Sequence, residues 1–322
     1  MPAILFSAPY MIPFRTRFQP IFDHYGIDLI VPVVNERMEE EDLLPHAGAV
    51  DGTICGDDKY SARVLECFAP RMKVISKWGT GIDSIDRAAA AQLGIQVRNT
   101  PNAFTLPVAD SVMGYMLNFA RRLSWMDRQV KAGIWDKIPG SSLSECTLGV
   151  VGLGNIGKAV IRRARAFGMK ILGCDIIPVA PDFLLENGVE LTSFEDVLRR
   201  ADFISLNCDL NPTSYHLINA GSLRLCQPHA VLINSARGPI VDEPALIEAL
   251  LSGQIAGAAM DVYEQEPLPL DSPLRQMDNV MLAPHNGNSS PSAWERVHWN
   301  TIRNLIDGLG LDTADLARFQ NS

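Results

Sequence analysis

Apolar and polar positions along this chain switch repeatedly between a short continuous run and a helical spacing. The runs Ala3 to Ala8, Ile27 to Val31, Gly52 to Cys55, Lys73 to Ser76 and Ile95 to Arg98 predict strands. Between them, Arg15 to Tyr25, Ser61 to Phe68 and Ser84 to Leu93 carry the helical pattern. Such alternation predicts a parallel sheet covered by helices, because each parallel crossover needs a helix to return the chain. A longer helical pattern runs from about Pro107 to Arg122, with Val108, Val112, Tyr115, Met116 and Phe119 as its apolar contacts, and forms the first crossing between domains. From Thr147 the alternation resumes, with strands expected at Leu148 to Val151, Lys170 to Cys174, Phe203 to Leu206, Ala230 to Ile233, Ala256 to Met260 and Val280 to Leu282. A last helix, Ser292 to Leu309, has Trp294, Val297, Ile302, Leu305 and Ile306 to bury and reads as the return crossing. The expected fold is α/β with two doubly wound parallel-sheet domains: residues 102–287 form one, and residues 1–101 with 288–322 form a discontinuous second.

One stretch specifies more than a fold. The strand ending at Val151 passes directly into Gly152-Leu153-Gly154-Asn155-Ile156-Gly157, a G-x-G-x-x-G turn. A helix should follow, with Ile156, Ala159, Val160, Ala164 and Phe167 on one face and Lys158, Arg162, Arg163 and Arg165 on the other, closed by Gly168. Gly152 allows the tight turn, Gly154 lets backbone approach a pyrophosphate, and Gly157 lets the helix pack closely on the sheet, with the anion at the helix N-terminus. Asp175, at the end of the next strand, lies about where an acid accepts hydrogen bonds from the ribose hydroxyls of NAD. Ile176, Ile177 and Pro178 follow instead of an arginine, so NAD is favoured over its phosphorylated form, which the carboxylate would repel.

Composition narrows the partners. A chain of 322 residues, 47% hydrophobic and 20% charged, can build two cores. Its net charge of −9 disfavours nucleic acid and anionic membrane as partners, since both seek cations. The acidic run Glu39-Glu40-Glu41-Asp42 reads as a solvated helix start. Cys55, Cys67, Cys146, Cys174, Cys208 and Cys226 form no C-x-x-C pair and are expected reduced and buried. Met1 to Met11 lacks a basic n-region and breaks at Pro9, and no apolar run reaches the ~20 residues of a membrane span, so a cytoplasmic location is the default expectation.

Open parallel sheets bind ligands beyond the carboxyl ends of their strands. After the strand ending at Ile233 comes Asn234-Ser235-Ala236-Arg237-Gly238. Asp261-Val262-Tyr263-Glu264-Gln265-Glu266-Pro267 follows the strand ending at Met260, and Ala283-Pro284-His285-Asn286-Gly287 follows Leu282. An arginine, a carboxylate and a histidine on one rim suit hydride transfer at a 2-hydroxy acid. Arg237 can hold a carboxylate bidentately and polarise the C2 oxygen. His285 can exchange the hydroxyl proton near neutral pH. Glu266 can orient the imidazole and stabilise its cation.

These motifs resemble the D-isomer-specific 2-hydroxyacid dehydrogenases, a family that includes phosphoglycerate, glycerate, hydroxypyruvate and D-lactate dehydrogenases. The match runs from about Lys73 to Leu305 and includes Lys77-Trp78-Gly79-Thr80-Gly81-Ile82-Asp83, Asn99-Thr100-Pro101 and Pro107-Val108-Ala109-Asp110 as well as the segments above. The resemblance implies a Rossmann domain binding NAD and a flavodoxin-like substrate domain, with Arg237, Glu266 and His285 as the catalytic set. It implies substrate contacts from Gly79, Thr80 and Gly81. It also implies cofactor contacts from Gly152, Gly154, Asn155, Ile156, Gly157, Asp175, Val108, Cys208, Ser235, Ala236, Asp261 and Gly287, with Asp261 meeting the nicotinamide carboxamide. No metal is implied. The family usually has small or apolar residues where Asn286 and Asn288 stand, and proline and threonine are commoner where the chain reads Asn207-Cys208-Asp209.

The expected activity is NAD-dependent interconversion of a small D-2-hydroxy acid and its 2-keto partner, of the glyoxylate, hydroxypyruvate or D-lactate class. D-3-phosphoglycerate is the alternative substrate, disfavoured by Asp57 and Asp58 beside a single lysine in Gly56-Asp57-Asp58-Lys59-Tyr60, although Arg15 and Arg17 stand nearby in sequence. Glu266 speaks against formate dehydrogenases, which have glutamine as the histidine's partner. An NAD-sensing binding protein is the alternative of another class. No regulatory domain is expected past the last helix. The helix from Pro107, Trp125 and the loop at Trp135 resemble the arm of family homodimers.

Overall fold

In the computed structural model, which describes residues 1–320, the strands form two sheets, each parallel throughout. The chain divides into two units: Met1–Phe104 with the segment from Ser290 onward, and Thr105–Ser289. In the first, β1 (Ala3–Phe6), β2 (Asp28–Ile30), β3 (Gly52–Cys55), β4 (Val74–Lys77) and β5 (Gln96–Arg98) lie in the order β2-β1-β3-β4-β5. That is the flavodoxin-like order. In the second, β6 (Thr147–Val151), β7 (Lys170–Cys174), β8 (Val189–Leu191), β9 (Phe203–Leu206), β10 (Val231–Asn234), β11 (Gly257–Met260) and β12 (Val280–Leu282) lie in the order β12-β11-β10-β9-β6-β7-β8. This is a Rossmann sheet with one added strand. Its order reverses between β6 and β9, where the ends of neighbouring strands diverge and leave a crevice.

The predicted strands are found with ends shifted by a residue or two. β8 escapes the apolar pattern because it is a three-residue edge strand with Glu190 and Leu191 exposed. The helix Asn155–Ala166 buries Ala159, Val160 and Ala164 against its sheet, but Phe167 is 45% exposed. The helix stops one residue short of it, and Gly168, at φ +75°, turns the chain away. The acidic run does start a helix, Glu40–Leu43, through a capping box between Glu39 and Asp42. All six cysteines are free, yet Cys67 is exposed and Cys208 and Cys226 are only half-buried. Among the described residues no helix is long and apolar enough to cross a membrane.

The helix Pro291–Gly308 packs on β4 within the first unit. Thr301 accepts a hydrogen bond at its carbonyl from Ser76 Oγ at 2.7 Å, and a side chain on Gly308 would lie 2.3 Å from the Val74 side chain. The helix buries Val297, Ile302, Leu305 and Ile306 fully, whereas Trp294 stays partly exposed.

It also buries His298, whose Nδ1 accepts from Trp78 Nε1 at 2.9 Å. Burial lowers this imidazole to about 4, outweighing the opposing pull of Glu295. Asp58 lies in the same unit, fully buried, accepting hydrogen bonds from Ser7 Oγ and the Met38 amide. Burial, more than the nearby Asp57, raises its carboxyl to about 6.

The two groups oppose each other below neutrality. The His298 contribution is complete above about pH 6.5 and is lost as the unfolded chain takes up protons down to about 4, whereas the penalty of ionised Asp58 fades between about 6 and 4. Each amounts to roughly 3 kcal/mol. Asp58→Asn keeps the neutral hydrogen-bonding group and removes the compensation. Urea unfolding of this variant should show stability falling more steeply from pH 6.5 to 4.5 than in the parent protein.

Candidate active site

The glycine turn takes its shape from contacts that exclude side chains. Gly152, at the end of β6, has φ +89°, and a Cβ there would lie 2.7 Å from the Cys208 amide nitrogen. On Gly157 a Cβ would lie 2.1 Å from the Gly152 carbonyl oxygen. Gly154 caps the helix with no side chain, and a Cβ on it would meet nothing within 4 Å. The first turn of the helix therefore opens outward through Gly154, with Ile156 half-buried beside it. At the end of β7, Asp175 Oδ2 accepts from the Leu153 amide at 2.5 Å and Oδ1 from the Ile177 amide at 2.9 Å, which locks the carboxylate to the glycine turn.

Past β9 and β10 lie Asn207 Oδ1 and Ser235 Oγ, two buried polar atoms that find no partner among the described residues. Buried polar groups are normally satisfied, so their orphaned state marks an edge built to meet something. Burial pushes the neighbouring Cys208 thiol up to about 11, so it is neutral at physiological pH. Ala236 donates its amide to Asn234 Oδ1 at 3.1 Å, and Val108 is buried on the helix Thr105–Arg121. An open helix N-terminus, a fixed acid and unpartnered donors and acceptors along one sheet edge fit a dinucleotide.

Beyond β10, β11 and β12 the structure brings the predicted arginine, glutamate and histidine loops together. His285 Nδ1 lies 2.9 Å from Glu266 Oε2, and Glu266 Oε1 accepts from the Tyr263 amide at 2.9 Å. Both side chains of the pair are about one-fifth exposed. His285 has a left-handed backbone, φ +52°, and donates its amide to the Asp261 carbonyl at 2.7 Å. The Asp261 carboxylate, 2% exposed, accepts from the amides of Asn286 and Gly287, both at 2.8 Å. Asp261 is thus a clamp on the histidine loop, a role that the expected carboxamide contact did not include. Arg237 is half-buried, with Nη1 donating to the Ala236 carbonyl at 2.8 Å. The next residue, Gly238, lies so close to the Tyr263 peptide that a Cβ would come within 1.8 Å of its carbonyl oxygen.

In the other unit, Gly79 has φ +120°, and its carbonyl accepts from the amide and the hydroxyl of Thr100, both at 2.9 Å. Thr80 Oγ1 donates to the Thr100 carbonyl at 3.0 Å. The Lys77 ammonium is 3.0 Å from Asp57 and also donates to the Trp78 carbonyl at 3.1 Å. Arg17 forms a two-pronged pair with Glu295, at 2.7 and 2.5 Å.

Residues 113–287 match the model of the D-isomer specific 2-hydroxyacid dehydrogenase NAD binding domain. The chain is also 41% identical over 273 residues to a glyoxylate reductase of Thermofilum pendens, covering 83% of this chain and 80% of that protein. The chain belongs to the D-isomer-specific 2-hydroxyacid dehydrogenase family. It is 44% identical over 262 residues to a D-3-phosphoglycerate dehydrogenase of Methanocaldococcus jannaschii, covering 80% of this chain and 48% of that protein. Among solved structures, a D-lactate dehydrogenase from Aquifex aeolicus, complexed with NAD and lactic acid, superposes with a TM-score of 0.83 at 26% identity, covering 99% of this chain and 98% of that one.

Several residues around this candidate site were not assigned to it from sequence. Tyr263 shares its hydroxyl between the carbonyls of Met260 and Ala283, both at 2.9 Å, and so ties the ends of β11 and β12. The hydroxyl of Tyr115 is raised by burial and by Asp261, and that of Ser111 lies 3.4 Å from the Gly287 carbonyl. Tyr263 lies inside the segment from Asp261 to Pro267 that carries Glu266. Ser111 and Tyr115 lie on a helix face whose pattern signals only burial. The glycine contacts carry an expected outcome: Gly157→Ala, which must push the helix away from Gly152, should weaken NADH binding at least about tenfold in a fluorescence titration.

Proposed function

We propose that this dehydrogenase reduces a small 2-keto acid to the D-2-hydroxy acid, and catalyses the reverse oxidation, with NAD as its cofactor. The observation that carries the reading is the Glu266–His285 pair at 2.9 Å, with the second Glu266 oxygen fixed by the Tyr263 amide. A carboxylate on Nδ1 leaves Nε2 as the nitrogen that exchanges a proton with the C2 oxygen, and it stabilises the imidazolium formed on oxidation. The Arg237 guanidinium holds the substrate carboxylate and polarises the C2 oxygen. Substrate contacts are also assigned to the amides of Gly79, Thr80 and Gly81. The cofactor, when bound, would accept the hydride as NAD or supply it as NADH.

Cofactor contacts are assigned to Gly152, Gly154, Asn155, Ile156 and Gly157 at the pyrophosphate and to Asp175 at the ribose hydroxyls. Val108, Cys208, Ser235, Ala236, Asp261 and Gly287 are assigned to the remainder of the cofactor. Asp175 has both oxygens engaged by the amides of Leu153 and Ile177 at the glycine turn, and a carboxylate in this place favours NAD over NADP.

Glyoxylate, hydroxypyruvate and pyruvate are the favoured substrates. A phosphorylated acid needs surplus cations, and in the first unit Lys77 is paired with Asp57, Lys59 with Glu39 and Arg17 with Glu295. A cytoplasmic homodimer completes the proposal, supported by exposed Leu123, Val130, Ile134 and Trp135 on and just after the helix Leu123–Lys131.

In an NADH-linked screen, at least one of the three unphosphorylated acids should be turned over faster than 3-phosphohydroxypyruvate. Arg237→Ala and His285→Ala should each lower turnover by at least about a hundredfold while leaving thermal unfolding within a few degrees of the parent. Tight NADH binding with no turnover on any acid would favour an NAD-sensing protein instead. Sedimentation should show a species of twice 35.3 kDa, and Trp135→Glu should shift it toward the monomer.

A further inference from the structure

We propose that His216 is a positioning residue for the Glu266–His285 pair and acts on it through Glu264. The turn from Tyr263 to Glu266 must aim Glu266 back at His285, and it is held on two sides. On the inner side, the Tyr263 hydroxyl grips the carbonyls of Met260 and Ala283. On the outer side, Glu264 Oε1 lies 2.7 Å from His216 Nε2 and 3.4 Å from the Glu243 amide, while the Glu264 amide donates to Glu243 Oε2 at 3.3 Å.

His216 is anchored in turn. Its amide donates to the Pro239 carbonyl at 2.9 Å, two residues past Arg237, and its own carbonyl accepts from Asn219 Nδ2 at 2.9 Å. The imidazole stacks on Tyr215, with ring centroids 4.1 Å apart, and the backbone stands at φ +47°. One residue therefore joins the loop that carries Arg237, through its amide, to the turn that carries Glu266, through its imidazole.

The local charges call for such a donor. Glu243 and Glu264 exchange backbone hydrogen bonds and repel each other, and the Glu243 carboxyl is raised by burial and by Glu264. His216 Nε2–H, or the imidazolium, stabilises Glu264 in the place that holds the turn. Loss of this contact would leave the Glu264 end free to swing, and small displacements of a reacting group are costly in rate.

His216→Asn tolerates a left-handed backbone and is too short to reach Glu264. Glu264→Ala removes the other half of the contact, and Glu264→Gln keeps an acceptor for Nε2–H. On the keto acid that the parent reduces, His216→Asn and Glu264→Ala should each lower kcat about tenfold, with KM and NADH affinity changed less than about twofold. The double variant should be no slower than either single one, and Glu264→Gln should recover most of what Glu264→Ala loses.

A second readout stands apart from turnover, because the inference rests on the proposed catalytic roles only for its kinetic arm. The His285 imidazole, assigned by comparison with His285→Gln, is titrated by NMR. Its midpoint should fall by about half a unit in both disrupted variants, since a loosened Glu266 stabilises the imidazolium less. A parent protein inactive on every acid would count against the proposed function and leave the titration to decide this one. An unchanged midpoint in His216→Asn and Glu264→Ala, or kcat losses matched by equal losses of NADH affinity, would overturn it.

Discussion

The site depends first on the carboxylate of Asp261. It is 2% exposed and accepts two backbone amides, those of Asn286 and Gly287, each at 2.8 Å. A buried charge of this kind is tolerable only when hydrogen bonds replace the lost water, and charged acceptors make the stronger bonds. Gly287 has no side chain because a Cβ would lie 2.7 Å from Asp261 Oδ2. With the two residues after it pinned and its own amide on the Asp261 carbonyl, His285 is held in a left-handed conformation that histidine adopts more readily than most residues. The imidazole thus owes its direction to a residue at the end of a neighbouring strand.

That dependence follows from the topology. In a parallel sheet every strand ends on the same edge, so loops distant in sequence emerge side by side and can brace one another. Here β10, β11 and β12 are consecutive neighbours, and their loops interlock through backbone contacts as well as side chains. Gly238 lies against the Tyr263 peptide, the Tyr263 hydroxyl spans the ends of β11 and β12, and Glu266 turns back to its own loop and to His285. Preorganisation of this kind matters more to the proposed proton-transfer pair than the strength of any one bond, since the rate falls steeply with misplacement.

The strands, the glycine turn and the three strand-end residues were legible because each leaves a local signature: an apolar run, three glycines at fixed spacing, or a chemically distinctive residue just past a run. Periodicity could not reach the short helices Pro181–Asn187 and Phe194–Arg200 or the edge strand β8, which carry too few apolar positions to set a period. It failed at Phe167 because the apolar spacing outlasts the helix, and at Cys67 because a cysteine next to buried residues need not share their face. Contacts such as His216 with Glu264, 48 residues apart, are set by loop packing and leave no local trace.

Charge is the remaining constraint. A chain with a net charge of −9 that takes an anionic substrate cannot attract it with its overall field. In the first unit, Arg17 and Lys59 already have carboxylate partners, and Lys77, almost fully buried, is held by Asp57 and by the Trp78 carbonyl. Under the proposed assignment, backbone amides and the Arg237 guanidinium are the donors offered to a substrate carboxylate. They recognise geometry at short range and supply at most one compensating charge, whereas a phosphate adds two more negative charges. On that assignment, the balance favours small monoanionic acids, by what the donors withhold as much as by what they offer.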